Sequence, residues 1–120
     1  MLLEQRLYLA ELFDIYGPLL TDKQQKCLSL HLFEDFSLSE IGEELAVSRQ
    51  AVYDILHRSE QIMASYEEKL GLAKRLKEQQ HELTGLYDEI AGLSSFDKDR
   101  VNDILMKLAP YTSKVQEELD

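Results

Sequence analysis

Between residues 37 and 56 the chain reads SLSEIGEELAVSRQAVYDIL, and two helix starts lie there only eleven residues apart, at Ser37 and Ser48. Ser37 followed by Glu40 has the spacing of a capping box, in which hydroxyl and carboxylate each satisfy an orphan backbone N–H. Ser48 is a favourable N-cap for the next helix. So short a spacing leaves room for one short helix, one tight turn and a second helix. Ile41 and Leu45, four apart, give the first helix a face to bury. Gly42 beside Ile41 permits a close crossing. Val47 in the turn at Ala46-Val47 plugs the core, and Val52 and Ile55 turn inward from the second helix. Arg49, Gln50, Tyr53, Asp54 and His57 are then left facing outward.

The flanking segments are also helical in pattern. Leu3, Leu7, Leu12, Ile15 and Tyr16 make an apolar stripe for a helix over 3–16, stopped by Gly17-Pro18. Thr21 with Gln24 is a second capping-box pattern, opening a helix from Asp22 to about Phe33. The helix capped by Ser48 meets no breaker before Gly71. From Tyr66, apolar or tolerant positions recur in steps of three and four, through Leu70, Ala73, Leu76, Gln80, Leu83, Tyr87 and Ile90. This seam reads either as intrachain core or as a dimer interface in which Gln80 marks the register. Gly71, Gly85 and Gly92 weaken the idea of one rigid rod. Ser94 or Ser95 can cap a further helix, with Asp97 and Asp99 near its positive end and Val101, Ile104, Leu105 and Leu108 as its buried face. Pro110 ends that helix or starts a final short one. No alternating Val/Ile/Thr-rich run suggests a strand. The expected fold is all-α: a helix-turn-helix unit over 1–70 and a helical extension over 71–120 with long helices, the latter a candidate dimerisation region.

Charge narrows the range of partners. The chain of 120 residues carries a formal net charge of −10. The acidity is spread, with −6 in residues 1–60 and −4 in residues 61–120. Such a field opposes non-specific attraction to DNA or to anionic membranes. No apolar run is long enough for a membrane span or a signal peptide, so the expected location is the cytoplasm and no membrane partner is expected. The single cysteine, Cys27, permits no intrachain disulfide and fits a reducing compartment.

The 37–56 segment resembles region 4 of bacterial sigma factors and related helix-turn-helix regulators. The likeness extends upstream through LTDKQQKCLSLHLFEDFSLSEIGEEL. From Leu19 to Leu72 the chain is closer still to the YlxM-like family of small helix-turn-helix proteins. That resemblance implies an all-helical fold and a regulatory role in the bacterial signal recognition particle pathway, with the particle's RNA or protein as partner. The sigma likeness implies DNA binding. One departure is Ala46, since such turns often place glycine where a left-handed backbone is needed.

The expected nucleic-acid contacts are Ser48, Arg49, Gln50, Tyr53, His57 and Arg58. Arg suits guanine and Gln suits adenine in a major groove, and Ser48 at the helix start suits a phosphate. Asp54 brings the wrong sign to this face. Between Ser37 and Arg58 four acids outnumber two bases, whereas a DNA-reading unit usually carries a positive excess. Specific DNA binding, RNA or ribonucleoprotein binding, and a protein-binding or structural role all remain open at this point, and a homodimer is a further candidate assembly. Cys27 and His31 share a helix face, yet no partner pair for a metal is evident, and Cys27 reads as a small core residue. Lys69, Lys74, Arg75 and Lys77 form a basic cluster flanked by Glu67, Glu68 and Glu78, which reads as a solvated face. No phosphate loop, catalytic triad or zinc-protease motif occurs. No enzyme activity, catalytic residue, metal or cofactor is expected.

Overall fold

The computed structural model describes residues 2–93 and 97–112. Among these there are six α-helices, two 3₁₀ turns and no strand. The helices are α1 (Leu3–Tyr16), α2 (Asp22–Leu32), α3 (Leu38–Leu45), α4 (Arg49–Leu70), α5 (Leu72–Ala91) and α6 (Lys98–Leu108). The chain divides into two compact units, Met1–Ala73 and Lys74–Asp120.

In the first unit α1, α2 and α3 all pack against α4. The side of α4 that they cover is Val52, Leu56, Ser59 and Met63, spaced by four, three and four residues. That spacing follows one line along a helix of about 3.6 residues per turn. Leu12, Tyr16, Leu20, Cys27, Leu28, Leu30, Leu32 and Ile41 complete the core. Ser59 is fully buried and donates its hydroxyl to the Ile55 carbonyl at 2.6 Å, so no polar group is stranded there.

The register of α4 corrects one expectation. Val52 is buried as expected, but its companion is Leu56, and Ile55 is only half-buried. Ile55 sits at the edge of the buried line and forms a flank facing the start of α2. The α1 stripe is corrected as well. Leu12 and Tyr16 are buried and Ile15 is half-buried, whereas Leu3 and Leu7 are 71% and 57% exposed. The first half of α1 makes a polar contact instead. Arg6 donates to the carbonyls of His31 at 2.6 Å and Leu32 at 3.3 Å, and pairs with Asp35 at 3.1 Å. The guanidinium thereby satisfies carbonyls that the end of α2 leaves without intrahelical donors.

Thr21 and Gln24 form the capping box expected at α2. At the other end of the unit, Gly71 adopts a left-handed conformation (φ 62°) and closes α4. Tyr16 ties this junction to α1. Its hydroxyl donates to Glu67 Oε1 at 2.7 Å and accepts from the Leu72 N–H at 3.3 Å. Glu67 Oε1 also accepts from the Ala73 N–H at 2.9 Å, so two orphan donors of the α5 start are satisfied. Burial, and then the Glu67 carboxylate, hold the Tyr16 phenol above its usual range. The Tyr16 ring stacks on Tyr66 at 5.8 Å.

The second unit holds α5, running through Gly85 without a break, and α6. Among its described residues Leu86 and Ile104 are buried. Lys107 reaches Glu89 at 2.9 Å and Asp103 at 3.2 Å, and these carboxylates raise its pKa. Tyr111 donates to Glu82. The α6 cap is Asp97, which accepts from the N–H groups of Asp99 and Arg100. Ser94 and Ser95 lie outside the described residues. Val101, Ile104 and Leu108 face inward, but Leu105, a helical step of about 100° beyond Ile104, is 57% exposed. Pro110 lies in a final 3₁₀ turn, Ala109–Tyr111.

The two α4 positions separate in a stability measurement. Val52→Ala is expected to cost about 2–3 kcal/mol. Ile55→Ala, with part of its side chain already in water, should cost about 1 kcal/mol. Equal losses in urea denaturation would place Ile55 in the core and contradict this register.

Candidate nucleic-acid interface

The α3–turn–α4 unit is built by local chemistry at each boundary. Ser37 Oγ accepts from the Glu40 N–H at 3.1 Å, and Glu40 Oε1 accepts from the Ser37 N–H at 3.1 Å. The helix ends at Ala46, a non-glycine residue in the left-handed region (φ 56°, ψ 44°). The Val47 N–H donates to the Gly42 carbonyl at 2.9 Å and the Ala46 N–H to the Glu43 carbonyl at 3.4 Å. Together these bonds make a Schellman termination. A Cβ on Gly42 would stand 2.7 Å from the Val47 carbonyl oxygen, so the turn folds back onto α3 only because that atom is missing. Ser48 then caps α4, its Oγ accepting from the Ala51 N–H at 3.1 Å.

With one side of α4 committed to the core, the opposite side is fixed. Ser48, Arg49, Gln50, Tyr53, His57 and Arg58 are all exposed, as is Asp54. Asp54 lies near the middle of this outward face and accepts from Gln50 Nε2 at 3.2 Å. Tyr53 and His57, one turn apart, hold their rings nearly parallel, 6° between planes and 5.8 Å between centroids. His57 Nε2 is 3.5 Å from Gln61 Nε2.

A groove of about 350 Å³ runs along the α2 side of this face, lined by Thr21, Lys23, Gln24, Ala51, Asp54, Ile55 and Arg58. Lys23 of α2 and Arg58 of α4 both line it. The only local signal of Lys23 in the sequence is its place just after the Thr21 cap. Burial pushes the Cys27 thiol up, and desolvation followed by the nearby Arg6 charge pushes the His31 imidazole down. Both residues belong to the α2 packing surface. Among the described residues no three His, Cys, Asp or Glu side chains are grouped to hold a metal.

The family model described as "Putative helix-turn-helix protein, YlxM / p13 like" matches residues 3–108. The chain belongs to this family. It is similar to a UPF0122 protein of Clostridium kluyveri, 41% identical over 109 residues, covering 91% of this chain and 96% of the relative. It is also similar to the UPF0122 protein YlxM of Bacillus subtilis, 43% identical over 99 residues, covering 82% and 86%. A Bacillus velezensis relative is 46% identical over 98 residues, covering 82% and 89%. The fold is therefore that of an all-helical helix-turn-helix family, with α3 and α4 as the two helices. No described helix is long and apolar enough to cross a membrane.

Two substitutions test the turn. Ala46→Gly relieves a left-handed strain of about 1–2 kcal/mol and loosens the unfolded chain by about 0.4–1 kcal/mol. The net expectation is a gain of about 0.5–1 kcal/mol in chemical denaturation, and a loss would contradict the strain assigned to Ala46. Gly42→Ala should lower stability by about 1–3 kcal/mol despite its better helix propensity, because the new methyl meets backbone. An unchanged or raised midpoint would show that the turn has room to move.

Proposed function

We propose that this chain is a regulatory protein that binds nucleic acid through the outward face of α4, in the signal recognition particle pathway that the family resemblance implies. The observation carrying this reading is the exposed polar and aromatic surface of α4, where Gln50, Tyr53, His57 and Arg58 turn away from the buried stripe and Arg49, in line with that stripe, is exposed in the first turn. The preferred ligand is RNA with unpaired bases, the particle's RNA being the first candidate. Tyr53 and His57 offer a stacking surface that any exposed base can use. Asp54 at the middle of the face, and Glu40, Glu43 and Glu44 on α3, oppose the close approach of two phosphate strands.

Duplex DNA is the second reading. Arg49 and Gln50 at the start of α4 favour it, since they occupy the first exposed turn and have the chemistry for guanine and adenine edges. We further assign self-association to the C-terminal unit.

Fluorescence anisotropy with signal recognition particle RNA and with mixed-sequence duplex DNA separates the readings. RNA binding should weaken with salt along a log–log slope of about −2, for three bases (Lys23, Arg49 and Arg58) at a single strand. Tyr53→Ala should cost about 1–3 kcal/mol in RNA affinity. A preference for duplex DNA, with Arg49→Ala and Gln50→Ala each relaxing sequence preference by about 1–3 kcal/mol, would transfer the assignment to transcriptional regulation. Binding to neither nucleic acid would overturn both readings.

A further inference from the structure

The groove between α2 and α4 holds one acid among its lining residues, Asp54, and two bases, Lys23 and Arg58. Asp54 and Arg58 have the i, i+4 spacing at which a carboxylate and a guanidinium commonly pair on a helix. Among the described residues no ion pair joins them, and none holds Lys23. Asp54 has a neutral partner instead, since Gln50 Nε2 donates to its Oδ1 at 3.2 Å. An ionised carboxylate can accept about four hydrogen bonds. One amide bond therefore orients Asp54 and leaves most of its accepting capacity open. Ala51 and Ile55, both half-buried, give the same groove an apolar part. Thr21 and Gln24 are bonded to each other in the α2 capping box.

We propose that this groove takes the base of an unpaired guanosine in the RNA, with Asp54 accepting from its N1–H and its N2 amino group. The proposal rests on the RNA reading of α4 and adds the base that this surface selects. An unpaired base offers its Watson–Crick edge to side chains. On guanine that edge sets two donors next to each other, which matches the two oxygens of a carboxylate. Adenine and cytosine set one amino donor beside a ring-nitrogen acceptor, and uracil sets one N–H between two carbonyls. Each of these three brings an acceptor against the carboxylate and leaves it poorly satisfied. Ala51 and Ile55 meet a face of the guanine ring, and Lys23 and Arg58 take flanking phosphates. Tyr53 and His57, whose rings lie on the other side of Asp54 along the helix surface, stack a neighbouring base. Asp54 thus has two effects of opposite sign. It repels phosphate wherever the strand lies, and it favours the strand that puts guanine in this groove.

Fluorescence anisotropy of the full chain with labelled oligouridines tests the proposal. One probe carries a single central guanosine, and the others carry adenosine, cytidine or inosine at that position. The guanosine probe should bind about tenfold or more tightly than the adenosine and cytidine probes, and inosine, which lacks the N2 amino group, should fall between them. Asp54→Asn keeps the shape and the bond from Gln50 but turns one acceptor into a donor. It should bring the guanosine-to-adenosine ratio close to one while circular dichroism stays unchanged, because Asp54 is exposed. If Asp54 acts only by repelling phosphate, Asp54→Asn will instead tighten all four probes by a common factor and leave the ratio as it was, which would overturn its role. Guanosine monophosphate should displace the guanosine probe only at about a hundredfold or greater excess over the probe's dissociation constant, since it lacks the flanking base and phosphates. Displacement without such excess would overturn an RNA strand as the source of the base. Equal binding of all four probes to the unmodified chain would overturn guanine selection and leave RNA binding in place. Binding of none would overturn the RNA reading and the guanine groove with it.

Discussion

Burial of the Val52–Leu56–Ser59–Met63 side of α4 is the constraint on which the rest of the first unit depends. Three other helices pack on it, and it fixes which residues of α4 stay in water. A rotation of α4 by one residue, about 100°, would carry the outward face into the flank of α2 or α3. The fully buried residues Val52, Ser59 and Met63 leave no accessible surface for a partner to use. What α4 can touch is therefore decided by its packing before any ligand is considered. The small Ser59 matters in this respect: it lets another helix approach, and its hydroxyl is satisfied within its own helix by Ile55.

Two left-handed residues place the ends of that helix. Ala46 turns the chain from α3 into α4, and Gly71 turns it from α4 into α5. They are supported differently. At Ala46 the support is backbone, through the two Schellman bonds and the Gly42 contact. At Gly71 a Cβ would meet nothing, so glycine there serves conformation alone. The support at that junction comes from Tyr16 and Glu67, which satisfy the first donors of α5 from a distance in sequence. The Tyr16 bond to Glu67 spans 51 residues, and it joins the end of α1 to the point where the first unit ends.

Local signals in the sequence were read more surely than distant ones. The capping boxes at Thr21 and Ser37 and the Ser48 cap are legible because each is settled by residues within four positions, whereas the seam read from Tyr66 to Ile90 runs across the left-handed Gly71 that ends α4. Burial was legible only in part. Periodicity marked Leu3, Leu7 and Leu105 as inward, but whether a neighbouring helix extends far enough to cover them is not contained in their own helix. Ile55 and Leu56 are adjacent, and the choice between them depends on where α2 lies. The Arg6 contact to the end of α2 crosses 25 residues and has no sequence motif. Lys23 likewise has no sequence motif, since only the packing of α2 against α4 sets it in the groove that Arg58 also lines.

The acidity of the chain acquires a physical role once the faces are separated. A helix-turn-helix reader usually gains most of its affinity from a basic surround, and most of that gain is independent of sequence. Here α3 carries three glutamates, and α4 places Asp54 among its outward residues. For the nucleic-acid ligand proposed for this face, affinity that is independent of sequence is thereby suppressed, and the rest must come from contacts of short range. An arginine, an amide and two parallel rings can supply such contacts, and these depend on shape and on unpaired base faces more than on net charge.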